Sequence, residues 1–255
     1  MPVNVAFRCD RSRVAFTFSH PVGNILTDDT VRALRAALEG ISNNPHLKLV
    51  TLEGAGEDFS FGASIPEHVP SQIERVLPEM HALIEDLLDV PAVTAAVVRG
   101  RCLGGGFELA LACDLIFAAA DARFGLPEIN LGVFPPAGSV LLPLRIGAAR
   151  AVPAIVTGES EGAAVWHERG LVELVADAGE LADAVDRWFD RHLAAKSAAA
   201  LRHAAIAARS VLRTQLRTLL PEAERLYLQD LMRTHDAAEG IDAFLNKRPP
   251  VWQDR

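Results

Sequence analysis

The chain has 255 residues, half of them apolar, enough for one large core or for a core with a smaller appendage. Its formal net charge of −8 disfavours nucleic acid or an anionic membrane as the main partner, because both reward a basic patch. Cys9, Cys102 and Cys113 are odd in number and lack ligand or redox spacing, so they read as packing residues in a reducing, cytoplasmic setting. The opening stretch MPVNVAFRCDRSRV has no apolar core of a secretory leader, and the apolar run from Phe107 to Ala120 is broken by Asp114 and too short to span a membrane.

Residues 3 to 18 alternate in the manner of two short strands around the turn Asp10-Arg11-Ser12. Val31, Leu34, Leu38 and Ile41 then mark one face of a helix over Asp28 to Ile41, with Thr27 or Asp28 as its N-cap. LKLVTLEG reads as a buried strand, and the loop AGEDFSFGAS follows it. A second helical stripe runs through Ile73, Val76, Leu77, Met80, Ile84 and Leu87. The next strand, AVTAAVVRG, is expected to feed directly into Gly104, Gly105 and Gly106, and a helix to about Ala112 and a strand in LIFAAA follow. From about Glu180 strand signals stop and helix follows helix. The expectation is an α/β core over residues 1–194 carrying a helical region over 195–255, whose Ala-rich start packs either within the chain or against another subunit.

The chemistry concentrates in RCLGGGFELALACDLIF. Three glycines let backbone approach a ligand closely, and a helix starting there points unpaired N–H groups outward, suited to an anion or a developing oxyanion. Alternatively, the glycines serve only close strand–helix packing. The stretch lacks the Lys and Ser or Thr of a phosphate loop, so nucleotide hydrolysis is not expected. Glu108 opens the apolar helix, and Glu128 lies in FGLPEINLGVF, where Pro127 fixes a turn. Converging on one pocket, two carboxylates can divide acid and base work if their surroundings push their pKa values apart; taken singly, Glu108 reads as a cap and Glu128 as solvated. His68 is a candidate substrate contact, His20 and His81 are weaker ones, and Asp114 reads as a structural partner to backbone or arginine.

GRCLGGGFELALACDLIFAA and ARFGLPEINLGVFPPAGSVLLPLRIG, preceded by GEDFSFGAS and followed by EGIDAFLNKRPPVW, resemble the enoyl-CoA hydratase/isomerase (crotonase) superfamily over nearly the whole chain. The resemblance implies a spiral of ββα units, a C-terminal trimerisation region giving a trimer or dimer of trimers, and a CoA thioester substrate with no metal and no separate cofactor. It implies Glu108 as base and Glu128 as acid, with the backbone N–H groups of Phe61 and Gly105 as the oxyanion hole. It also implies substrate contacts from Ala63, Ser64 and Phe134, with Phe244 and Lys247 helping to hold the CoA nucleotide, often from a neighbouring subunit.

Within the superfamily, FSFGAS followed by Glu67-His68, and LGVF with its Pro-rich continuation, most resemble the cyclohexa-1,5-dienecarbonyl-CoA hydratases. Straight-chain hydratases usually carry Ala-Ala-Gly-Ala-Asp where this chain has Ser60-Phe61-Gly62-Ala63-Ser64. Phe61 and Phe134 suit a flat ring, or are ordinary core aromatics. A general enoyl-CoA hydratase or isomerase, and a non-catalytic CoA-thioester binding protein, are the competing expectations.

Overall fold

Cys9, Asp10 and Arg11 all adopt positive φ in the tight turn that folds β1 (Val3–Arg8) back onto β2 (Arg13–Phe18). Cys9 is exposed at this turn and is not a packing residue, whereas Cys102 and Cys113 are buried. The structure, a computed structural model, describes residues 2–255 apart from the side chains of Pro70 and Ser71.

From β2 onward the chain makes repeated strand–helix–strand passes. Thr27 accepts a hydrogen bond from the Thr30 N–H and so caps α1 (Asp28–Ile41), whose buried stripe is the expected Val31, Leu34, Leu38 and Ile41. β3 (Leu49–Gly54) follows, then α2 (Pro70–Asp89), which starts a turn ahead of the apolar stripe, and β4 (Val93–Val98). The expected direct entry of that strand into the glycines does not occur. The chain turns at Gly100 with φ 51°, forms a separate short strand β5 (Arg101–Leu103), and only then enters α3 (Gly105–Ala112).

β6 (Leu115–Ala119), β7 (Arg123–Gly125), α4 (Pro136–Ile146), α5 (Ala148–Thr157), β8 (Glu161–Gly162), α6 (Ala163–Glu168) and β9 (Leu174–Ala176) complete the α/β part. The main sheet has the order β1-β2-β3-β4-β6-β9 and is parallel except for the β1–β2 hairpin. β5, β7 and β8 form a small second sheet beside it. Both faces of the parallel strands are covered, so β3 and β4 are buried along nearly their whole length.

After β9 the chain is helical: α7 (Leu181–Phe189), α8 (Ala198–Arg225) and α9 (His235–Leu245), with α7 and α8 each running on into a π-helical turn, Asp190–Ala194 and Leu226–Asp230. α8 does not stand away from the core, because its Leu216 and Leu220 are buried within it. Its Arg209, 4% exposed, donates to Leu88 O (3.1 Å), Val90 O (2.8 Å) and Ala92 O, and its Nε lies 2.7 Å from Asp114 Oδ1. Asp114 in turn accepts from the Thr94 N–H, so its reading as a structural partner stands. Arg145 of α4 likewise holds the Leu111, Cys113 and Asp114 carbonyls at the end of α3. Arg209 thus satisfies carbonyls at the end of α2 and Arg145 those at the end of α3, groups that the helix ends leave unpaired. Among the described residues no helix is long and apolar enough to cross a membrane.

Candidate active site

All eight residues of α3 are buried, so the helix that carries Glu108 offers no solvent-facing side. Its start is shaped by close approach. Gly104 has φ 50°, and a Cβ there would lie 2.7 Å from Glu128 Oε1. A Cβ on Gly105 would lie 3.3 Å from Ala63 N. Glycine at these two positions therefore leaves room for the second carboxyl and for a neighbouring N–H.

That N–H is placed by the loop before α2. Phe59 N–H donates to Arg99 O, Ser60 N–H to Arg101 O and Leu103 N–H to Ser60 O, tying the loop alongside β5. On its other side Leu26 N–H donates to Gly62 O and Ser64 N–H to Leu26 O. In such a bridge the intervening residue turns its own N–H the opposite way, and for Ala63 that direction is the first turn of α3. Among the described residues nothing accepts from Ala63 N–H or from Gly105 N–H. The expectation for Phe61 fails here, because its N–H donates to Gly23 O at 2.8 Å. The two free N–H groups that face one another belong to Ala63 and Gly105.

Glu108 and Glu128 both line a cavity of about 500 Å³, so neither is the isolated cap or solvated residue that each resembles taken singly. Their surroundings differ. Glu108 Oε1 accepts a 2.7 Å hydrogen bond from Gly138 N–H in the first turn of α4, where the helix dipole favours negative charge. Burial pushes the Glu108 carboxyl above the usual range, while the Gly138 N–H, the charged form of His81 and the Ala137 N–H act against that rise. Glu128 sits in a 3-10 turn, Pro127–Leu131, with Oε2 buried and unpartnered. Burial, reinforced by the negative charge of Glu108, pushes its carboxyl well above the ordinary value. Of the two, Glu108 is the group built to hold a charge and Glu128 the one built to keep its proton.

Phe61 and Phe134 both line the cavity. The Phe61 ring lies under the Arg101 guanidinium, 4.1 Å from its carbon, and the Phe134 ring stands edge-on to Tyr227 with centroids 5.5 Å apart. Phe244 of α9 also lines it, within the same chain. Ser64 and Lys247 do not. Ser64 is buried with its carbonyl held by His68 Nδ1 (2.9 Å), and Lys247 turns outward at φ 52°, leaving Arg248 at the cavity wall. His68 lines the cavity, and its burial lowers its pKa, favouring the neutral ring.

Sequence reasoning ranked one contributor, His81, low and passed over two others. His81 is 4% exposed on α2 and paired at 2.6 Å with Glu224 of α8, and its protonated form favours the carboxylate of Glu108. Its position in an apolar helical stripe hides this. Arg248 is adjacent to the residue expected in its place. Tyr227 is the chain's sole tyrosine, and that count was its only signal.

Residues 11–255 match the enoyl-CoA hydratase/isomerase family. The chain is 43% identical over 254 residues to cyclohexa-1,5-dienecarbonyl-CoA hydratase of Thauera aromatica, covering 100% of this chain and 98% of that protein. It is 30% identical over 251 residues to carnitinyl-CoA dehydratase of Salmonella paratyphi A, covering 94% of each. Among solved structures, an enoyl-CoA hydratase from Mycobacterium avium subsp. paratuberculosis K-10 superposes with a TM-score of 0.88 at 28% identity, covering 100% of this chain and 99% of that one. The crotonase-type fold, the full-length match and the relatives' hydratase and dehydratase activities agree: this chain is a hydro-lyase-type enzyme that belongs to the enoyl-CoA hydratase/isomerase family.

Proposed function

We propose that the enzyme adds water to a conjugated acyl-CoA thioester, and that its substrate is cyclohexa-1,5-diene-1-carbonyl-CoA, giving 6-hydroxycyclohex-1-ene-1-carbonyl-CoA. The observation that carries the reaction class is the contrast between two buried carboxylates in one cavity, Glu108 hydrogen-bonded by Gly138 N–H and Glu128 unpartnered. The 43% identity to the Thauera hydratase and the aromatic walls of Phe61 and Phe134 support the cyclic substrate.

The thioester carbonyl oxygen sits between the N–H groups of Ala63 and Gly105, which stabilise the negative charge that develops on it as water adds. The Glu108 carboxylate takes a proton from water while the water oxygen bonds to the β carbon. The electron pair of the conjugated system moves into a dienolate. Protonated Glu128 then gives its proton to the far end of that system, a 1,4-addition, leaving Glu108 protonated and Glu128 ionised. Proton transfer from Glu108 to Glu128 resets the pair. Assembly as a trimer or dimer of trimers belongs to the same proposal; a monomer in light scattering at all concentrations removes it.

A panel of CoA thioesters tests the reading. Cyclohexa-1,5-diene-1-carbonyl-CoA is expected to be hydrated faster than crotonyl-CoA or longer enoyl-CoAs, and Glu108→Gln and Glu128→Gln are each expected to lose at least about a hundredfold in turnover. Preference for crotonyl-CoA would replace the cyclic substrate with a general hydratase. Binding without turnover of any thioester would overturn the catalytic reading.

A further inference from the structure

Tyr227 is the only tyrosine in the chain, and the mechanism above does not use it. It is seated in the π-helical turn Leu226–Asp230 that continues α8, and such widened turns recur at functional sites because they rotate a side chain out of helical register. The residue is 2% exposed and packs with Ile73, Leu77 and Val133. Its hydroxyl differs from the rest of the side chain. Among the described residues nothing exchanges a hydrogen bond with it, and it is not one of the sealed, unpartnered polar atoms of the interior. Tyr227 lines the cavity that holds both carboxylates, so the hydroxyl opens onto that space.

A buried tyrosine hydroxyl normally finds a partner, because leaving it unmade is costly. Burial and the negative charges of Glu128 and Glu108 push its ionisation well above the ordinary phenol value, so it stays a neutral group able both to donate and to accept. The ligand atoms can be counted. The carbonyl oxygen is matched by two N–H groups, and the hydrocarbon ring by apolar walls. The reacting water gives one O–H to Glu108 and one lone pair to carbon. One O–H and one lone pair remain, and the same oxygen persists as the alcohol of the product.

We propose that the Tyr227 hydroxyl holds this oxygen, hydrogen-bonding the reacting water before addition and the new alcohol afterwards. The assignment rests on the hydratase reading. Tyr227 acts as a substrate-contacting residue of neutral charge, and neither carboxylate has to hold the water alone.

Tyr227→Phe keeps the ring and its contact with Phe134. The expected result is unchanged melting, a KM for the unsaturated thioester within about twofold of the parent, and a kcat lower by about ten- to a hundredfold. Calorimetric affinity for the hydroxylated product thioester falls about tenfold, while that for saturated cyclohexanecarbonyl-CoA, which has no alcohol, is unchanged. A purely structural role would weaken both ligands together. In the unaltered protein, the ultraviolet resonance Raman signal of the sole tyrosine is expected to shift with the hydroxylated thioester and not with the saturated one, a readout that needs no variant. Parent-like kcat in Tyr227→Phe with equal affinities for both thioesters, or the absence of any Raman shift, overturns the assignment and leaves the hydratase reading standing. An unaltered protein that hydrates no conjugated thioester overturns that reading, and this assignment with it.

Discussion

Gly105→Ala separates the oxyanion hole from the fold. Gly105 lies outside the positive-φ residues and occupies the first helical position of α3, so alanine meets no backbone strain there. The added methyl, however, falls 3.3 Å from Ala63 N. An oxygen accepting from that N–H must lie about 2.7–3.1 Å from the nitrogen, so methyl and oxygen contend for one space. Loss of a single such donor costs about 2.7–4 kcal/mol, or about a hundred- to a thousandfold in kcat. Gly106→Ala is the control: its methyl would meet Ser60 Cβ at 2.5 Å, where packing must shift, so it is expected to lower the melting temperature. Steady-state kinetics beside thermal melting read both variants. Turnover in Gly105→Ala within about threefold of the parent would refute the placement of the hole.

Glu128→Gln is expected to be the more stable protein at neutral pH, by a margin that grows as pH rises. The folded-state pKa of Glu128 lies well above the ordinary carboxylate value, so between those two values the unfolded chain ionises while the folded one stays protonated, and parent stability falls through that window. Melts at several pH values read the margin, and a pH-independent difference would count against a buried, neutral acid. Phe134→Ala is expected to shift the ratio of cyclic dienoyl to crotonyl turnover against the ring by about ten- to two-hundredfold, measured as kcat/KM on both. Equal loss on both substrates would dismiss the aromatic slot. The hydration rate itself is expected to follow a bell-shaped pH profile, its acid limb set by Glu108 above the usual carboxylate range and its alkaline limb by Glu128. A profile unchanged by either glutamine variant would refute that assignment.

The helices α1 and α2 were legible because their buried residues recur every three or four positions, whereas the glycine turn and the Pro127 turn left the convergence of Glu108 and Glu128 open and the family resemblance alone implied their pairing. β5, β7 and β8 were not, since strands of two or three residues carry too little alternation to register. Phe61 and Ala63 were confused for a geometrical reason. They stand two residues apart, so alternation along the segment gives both N–H groups the same side, and only the Phe61 N–H contact with Gly23 O leaves Ala63 as the free one. Lys247 was named from its family position, and within its own chain the left-handed turn there leaves Arg248 at the cavity wall instead. The Tyr227 position depends on a local widening of α8 that no helical periodicity announces.

Glu108, Glu128, Tyr227 and Phe244 reach the cavity from helices and turns of one and the same chain. The consequence is genetic as well as chemical. Two inactive alleles, one lacking the base and the other lacking the acid, have no intact site to assemble when co-expressed, because no mixture of subunits restores the missing partner to the same cavity.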